Sequence, residues 1–371
     1  MTFPVSKFTD IVQDKSGGNQ KLPQELFLTK GDYPVVDQGK KFIAGYIKDK
    51  DYLVKSTDLP VIVFGDHTKA IKFIDFPFAM GADGVKVLKP KAECDTKYLY
   101  HYLRYAKIPD AGYSRHYKFL KELEIPLPSL SEQRRIASIL DQADELRQKR
   151  QQAIEKLDQL LQAIFIDMFG DPASNPKNFE TIKFSKIGKW KSGATPSKAN
   201  ENFWIGDFPW VSPKDMKVDH LFDAQDHISD LAFKETNLKK IAKGHLLIVV
   251  RGMILAHSFP TAINEVDVSI NQDMKAIEPI DQVNIVYLKC AIDAFKPFIL
   301  ELISDAAHGT KRFDLVYAEL INIPIPPLSL QLKFQTIYQK IKFERLKYEK
   351  QLLECDSLFK SLQNQAFSGT L

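Results

Sequence analysis

His67, His257 and His308 carry the imidazole that a general base or a metal site would use, yet each stands isolated in the sequence. No HExxH, Cys-His cluster or G-x-S-x-G elbow surrounds them, so they read as surface or internally satisfied histidines. Cys94, Cys290 and Cys355 are widely separated, odd in number and never in a CxxC spacing. That pattern suggests buried free thiols, neither a disulfide framework nor a zinc cluster. FGDH (Phe64 to His67) and FGDP (Phe169 to Pro172) are short glycine turns, and no G-x-x-x-x-G-K-[ST] provides a phosphate loop. Amino-group methylation would need a glycine-rich cofactor loop and an Asn/Asp-Pro-Pro-aromatic loop, but Asn175-Pro176 is followed by Lys177. The expectation is a chain with no catalytic residue and no metal of its own.

Composition then bounds the scaffold. At 371 residues, with 44% hydrophobic and 26% charged, the chain has material for two or more ordinary cores. No apolar run approaches the ~20 residues needed to cross a bilayer, and MTFPVSKFTD has no signal-peptide character, so a cytoplasmic protein without a membrane partner is expected. Net charge is only +4, but residues 1 to 120 hold 19 Lys and Arg against 14 Asp and Glu. A mildly basic first third is compatible with nucleic acid, though solvated lysines look the same.

The chain says most things twice. IPLPSLSEQ (Ile125 to Gln133) returns as IPIPPLSLQ (Ile323 to Gln331), KFTDIVQDKSGG (Lys7 to Gly18) as KFSKIGKWKSGA (Lys183 to Ala194), and GDYPVV (Gly31 to Val36) as GDFPWV (Gly206 to Val211). VIVFG (Val61 to Gly65) loosely parallels IVVRG (Ile248 to Gly252), both apolar runs that read as buried strands, and Gly112 and Arg115 parallel Gly309 and Arg312. The repeated unit is a globular domain, a proline phrase and a long helix. Proline lacks a backbone donor and forces the preceding residue into extended geometry, so each phrase should be a stiff strap. Ser129 or Ser131 can cap the helix after the first strap, with Glu132 in its first turn; Ser329 or Leu330 holds the second entry.

Both helices carry a heptad. Ile136, Ala143, Arg150, Leu157 and Ile164 alternate with Leu140, Arg147, Ile154, Leu161 and Met168; Phe334, Ile341, Tyr348, Cys355 and Leu362 alternate with Tyr338, Arg345, Leu352, Phe359 and Ala366. Such a seam supports coiled-coil packing of the two helices, against the alternative of each helix packed on its own domain. Arg147 and Arg345 interrupt it at equivalent places, either fixing register through Glu145 or Glu344 or extending outward to water. The fold class expected is α+β: two pseudo-repeated α/β domains separated by an antiparallel two-helix coiled coil. Their boundaries fall at 1–124 and 173–322, with straps and spacer helices at 125–172 and 323–371. Two diverged domains on one spacer suit a bipartite, asymmetric target on a long polymer such as duplex DNA.

These motifs resemble the specificity subunit of type I restriction-modification enzymes. The matching pieces are IPLPSLSEQRRIASILDQAD (Ile125 to Asp144), FGDP, SGATPSKANENFWIGDFPWVSPKDM (Ser192 to Met216), SINQDMKAI (Ser269 to Ile277) and AFSGTL (Ala366 to Leu371). The resemblance implies two target recognition domains, each binding one half of a double-stranded DNA site. It also implies two modification subunits carrying S-adenosylmethionine, and restriction subunits with ATP and Mg, so that no cofactor sits on this chain. A protein-binding coiled-coil adaptor without DNA specificity is the competing class. Base readout favours Arg, Lys, Asn and Gln in loops, with hydroxyls positioning phosphates. The candidate DNA-binding residues are Lys69, Lys72, Arg115, His116 and Lys118 in the first domain. In the second they are Lys191, Ser192, Lys198, Lys214, Arg251, Asn271, Gln272, Lys311 and Arg312. Trp204, Phe208 and Trp210 have faces on which bases could stack, but an aromatic core cluster is the better reading.

Overall fold

Val61–Gly65 is buried at every residue, which a strand tolerates only when both of its faces are covered. The computed structural model describes residues 3–110, 112, 114–305 and 310–371; His308 and Gly309 lie outside the described residues. It divides into two compact units, Met1–Ala153 with Tyr348–Leu371, and Ile154–Lys347.

In the first unit Val61–Gly65 sits in a four-stranded antiparallel sheet, between Val85–Pro90 and Ile71–Ile74, with Val12–Asp14 at the far edge. A second sheet joins Lys21–Leu22, Ala79–Gly81, Tyr33–Val36 and Gly45–Ile47. One face of the first sheet packs on the helix Thr96–Tyr105, whose start is fixed by the Asp95 carboxylate accepting from the N–H groups of Lys97 and Tyr98. Leu99 and Leu103 of that helix share one core with Ile62 and Phe64 of the sheet, and Ile136, Leu140, Phe359 and Phe367 of the long helices join it.

The second unit repeats the plan. Leu246–Val249 is the fully buried central strand, flanked by Met274–Pro279 and Thr261–Asn264; Gly188–Ser192 and His220–Leu221 form the edges. A smaller sheet holds Asp226–Ile228, Phe208–Val211 and Ser269–Ile270. The helix Ile285–Leu302, capped by Asn284, covers the larger sheet. Trp204, Phe208 and Trp210 belong to a small core with Phe203 and Ile228, and Trp204 meets Trp210 edge-on at 5.0 Å. They are packing residues, as the sequence suggests. The strand register corrects one pairing: Gly65 lies opposite Val85 and Val249 opposite Met274, so Gly65 corresponds to Val249 and the match to IVVRG is displaced by three residues.

Both proline phrases are short edge strands. Glu124–Pro126 pairs antiparallel with Val5–Lys7, and Asn322–Pro324 pairs in the same way with Thr181–Lys183. Each strap is pinned a second time by a buried phenol: Tyr98 Oη donates to Pro126 O and Tyr287 Oη to Pro324 O, both at 2.7 Å. Helices of 40 and 41 residues follow, Leu130–Phe169 and Leu328–Ser368. The first begins after Ser129, whose Oγ accepts from Glu132 N at 3.4 Å. The second begins earlier than expected, because Pro327 O takes the N–H groups of Leu330 and Gln331 and leaves Ser329 inside the helix.

Every heptad position is buried or half-buried, and within each unit the two helices run antiparallel. In the first, Arg147 Nε donates to Asp356 at 2.6 Å and Arg150 covers the Tyr348 ring. In the second, Arg345 pairs with Asp158 at 3.1 Å and Phe165 meets Phe334 edge-on. Each arginine therefore reaches an aspartate of the opposite helix, Arg147 also holding Asp144 of its own, which corrects the expected partners: Glu145 and Glu344 are paired with Lys149 and Lys347. Both proposed packings coexist, since residues of the helix seam also complete the core of each globular part.

Candidate nucleic-acid interface

The central strand of each unit ends at the same backbone junction. Asp66 N donates to Gly84 O at 2.7 Å and His116 N to Asp66 O at 2.8 Å. In the second unit Val250 N donates to Asp273 O at 2.8 Å and Phe313 N to Val250 O at 2.9 Å. Three segments thus converge: the exit of the central strand, the turn before the neighbouring strand (Val85–Pro90 or Met274–Pro279), and the stretch before the strap. In this register His67 corresponds to Arg251, Gly84 to Asp273 and Arg115 to Arg312.

In the first unit this junction holds only part of the expected set. Arg115 and Lys118 are exposed, with Lys118 Nζ over the Phe119 ring. Lys69, in the left-handed region at φ 59°, pairs with Asp110 at 3.4 Å. Two candidates are removed from the surface. Lys72 is buried, its ammonium donating to Asp37 O and Lys41 O at 2.9 and 2.6 Å, so it ties down a loop. His116 is buried as well, with Nδ1 3.0 Å from Asp66 O. Lys86, which sequence reading passed over, pairs with Asp14 at 2.8 Å and lies over the Tyr117 ring. Burial, then the neighbouring Asp14 and Asp66, push the Tyr117 phenol up to about 12.

In the second unit Arg251, Gln272 and Arg312 line one cavity of about 270 Å³ together with Trp190 and Phe313. Three further side chains of this place were missed in the sequence. Lys275 lines the cavity and donates to Ser192 Oγ at 2.6 Å. Asp273 holds Arg251 at 2.6 Å, and Asp314 holds Arg312 at 2.6 Å. Their signal was available, since each carboxylate stands two residues from a candidate (Asn271, Arg312). Asn271 itself is buried and accepts the Asp273 N–H on its Oδ1, shaping the turn rather than facing solvent. Gln272 accepts from Thr195 Oγ1, and Lys311 and Arg312 form a two-residue strand paired with Ser304–Asp305.

The remaining candidates are elsewhere. Lys191 donates toward His245 at 2.8 Å and pairs with Glu278 at 3.1 Å. Lys198 borders an open cavity of about 630 Å³ with Trp204 and Asp226, and Lys214 pairs with Asp226 at 2.7 Å. The structure therefore gathers Arg251, Gln272 and Arg312, with Lys275 and Ser192 beside them, and separates Lys191, Lys198 and Lys214 from that group.

A family model described as the type I restriction modification DNA specificity domain matches residues 2–156 and again residues 176–354. A type I restriction enzyme specificity subunit of Escherichia coli is 29% identical over 331 residues, spanning 83% of this chain and 78% of that one. Among solved structures, the S subunit of a type I restriction-modification system from M. genitalium aligns with a TM-score of 0.65 over 99% of this chain and 96% of that chain, at 20% identity. A chain from a structure describing assembly and conformational transition of the type I R-M system aligns with a TM-score of 0.54 over 100% and 98%, at 16% identity. Both are likenesses of fold.

Proposed function

The chain belongs to the type I restriction-modification DNA specificity domain family, and we propose on that footing that it is the sequence-reading subunit of such an enzyme. Residues 1–124 and 173–322 each read one half of an asymmetric bipartite site in double-stranded DNA. The straps and helices, 125–172 and 323–371, set the number of unread base pairs between the halves. The observation carrying this reading is the double match of one family model, accompanied by the same strap, helix entry and strand-exit junction in both units. Divergence at the junction, His67 for Arg251 and Gly84 for Asp273, supports unlike half-sites.

Catalysis is assigned to partners. Two modification subunits would bring S-adenosylmethionine and methylate adenine, a step that requires the base to leave the stack at a register the reader fixes. Restriction subunits would bring ATP and Mg, and the assembly would act in the cytoplasm. Among the described residues no helix is long and apolar enough to cross a membrane.

The test is a selection from randomised duplexes by the full chain together with its modification subunits. A bipartite motif is expected, and deletion of four residues around Ile154 should shorten its spacer while leaving both halves intact. No selected motif would defeat the reading of DNA sequence; an unchanged spacer would defeat the measuring role of the helices.

A further inference from the structure

Arg251 and Arg312 stand directly opposite each other in an isolated antiparallel bridge, reinforced by Gly252 N donating to Lys311 O at 3.0 Å. Residues opposed in this way project their side chains on one face with Cβ atoms about 5 Å apart, and two like charges so placed repel. Each charge is countered separately. Asp273 Oδ1 takes Nε and Nη2 of Arg251, both at 2.6 Å, and Asp314 Oδ1 takes Nε of Arg312 at 2.6 Å. The two arginine side chains nevertheless remain about half exposed, 48% and 56%. What each carboxylate leaves open on its arginine is the terminal N–H edge, a flat pair of donors held at a fixed angle.

We infer that this pair is a guanine reader: Arg251 and Arg312, aligned by Asp273 and Asp314, donate their terminal edges to O6 and N7 of guanines in the half-site bound by the second unit. The inference rests on the proposed function and names the base that one part of the site takes. Guanine presents two acceptors in the major groove that match the arginine fork, and no other base does. A phosphate-binding role fits less well, because a carboxylate beside each guanidinium cancels its attraction for an anion while preserving its geometry for an uncharged base edge. The side chains start from Cβ atoms about 5 Å apart, on the scale of the ~3.4 Å rise between stacked pairs, so the two arginines serve neighbouring base pairs of one half-site. Gln272 and Lys275 line the same cavity and add an amide and a cation for the flanking positions. The first unit has histidine, glycine and tyrosine (His67, Gly84, Tyr117) at the places of Arg251, Asp273 and Asp314, so its half-site is not read by this device.

The experiment repeats the randomised-duplex selection with the full chain and its modification subunits, comparing the unaltered protein with Arg251→Lys, Arg312→Lys, Asp273→Asn and Asp314→Asn. Lysine keeps the charge and loses the fork, so each lysine variant should lose roughly 10- to 100-fold of its preference for one G·C pair. The loss should be confined to a single half of the motif. The asparagine variants should weaken the same positions less, and thermal melting of each variant verifies that the unit is folded. An affected half without a G·C pair overturns the inference, and so does full retention of guanine preference by both folded lysine variants. In either case the bipartite motif of the unaltered protein survives, which leaves the proposed function standing. Absence of any motif in the unaltered protein overturns both.

Discussion

Gln133 Oε1 accepts the backbone N–H of Asp95 at 2.7 Å while its Nε2 donates to Glu93 O and Pro128 O, at 3.0 and 2.9 Å. The second unit repeats the arrangement. Gln331 takes Asn284 N at 2.8 Å and donates to Gln282 O and Pro326 O at 3.0 and 2.7 Å. Both side chains are fully buried. Each glutamine thus joins the strap to the turn that caps the domain's own helix, which makes it the element the two proline phrases share. Glu132, present only in the first copy, pairs with Arg135 at 2.7 Å on the surface. Gln133→Ala should lower the stability of the first unit by about 2 to 4 kcal/mol, because it strands a buried N–H and two carbonyls. Gln133→Glu should cost at least as much at neutral pH, since a carboxylate has nothing to donate to the two carbonyls. Urea unfolding followed in each unit separately checks this; an effect on the second unit would contradict the local account.

Lys289 is buried between Asp219 and Asp293, donating at 2.6 and 2.7 Å, and Asp219 also receives Lys342 from the C-terminal helix. Removing one member of such a cluster leaves the others uncompensated. Lys289→Met should therefore destabilise the second unit by about 3 kcal/mol. Replacing Asp219 by Asn as well should recover part of that loss, and failure to recover would mean that packing, and not charge, sets the cost.

The pH dependence of stability follows from three groups. Burial lowers the His101 pKa below its ordinary 6.5, against the opposing pull of Asp141. Burial raises the carboxyl of Asp219, but Lys289 and Lys342 together pull it well below its ordinary value; Asp144, raised by burial and lowered by Arg104, also ends low. In all three the folded chain binds its proton less tightly than the unfolded chain, so stability falls as pH falls. The histidine contribution should be complete above pH ~6.5 and fade below it, and the carboxylate contributions should be complete above pH ~4 and fade below that. Thermal melts between pH 3 and 8 should show two stages of loss, and His101→Gln should flatten the first stage in the first unit.

Much of this architecture is legible in the residues, for reasons that differ by element. The straps are visible because proline acts on its own neighbours, and the helices because a heptad repeats over tens of residues. Gln133 and Gln331 were visible as letters but not as a bond, since their partners at Asp95 and Asn284 are 38 and 47 residues away. Lys72 misled for a related reason. Its strand, Ile71–Ile74, is covered on both faces, so alternation did not reveal that Lys72 shares the inward side with Ile74. The arginines at 251 and 312 could be named from residue type, but their bridge depends on pairing between segments 61 residues apart in number, which only the folded sheet supplies.

Arg147 offers the finest test of how the helices hold register. It pairs with Asp356 at 2.6 Å and with Asp144 at 2.7 Å, and its guanidinium lies 4.7 Å from the centre of the Phe359 ring. The Asp356 bond is partly exposed, 28% and 34% for the two side chains, so its own worth should be small, about 0.5 to 1 kcal/mol. Arg147→Ala should cost more than that, because the ring contact and the Asp144 bond disappear with it, although Asp144 keeps Arg104 at 2.7 Å. A double-mutant cycle of Arg147→Ala and Asp356→Ala isolates the pair. Coupling near the stated value that shrinks in 1 M salt is expected. Coupling of zero would mean that Phe359 and the apolar seam alone align the helices. Exchange of the two charges, Arg147→Asp with Asp356→Arg, should then restore little, because aspartate at 147 would face Asp144 and leave the Phe359 ring uncovered.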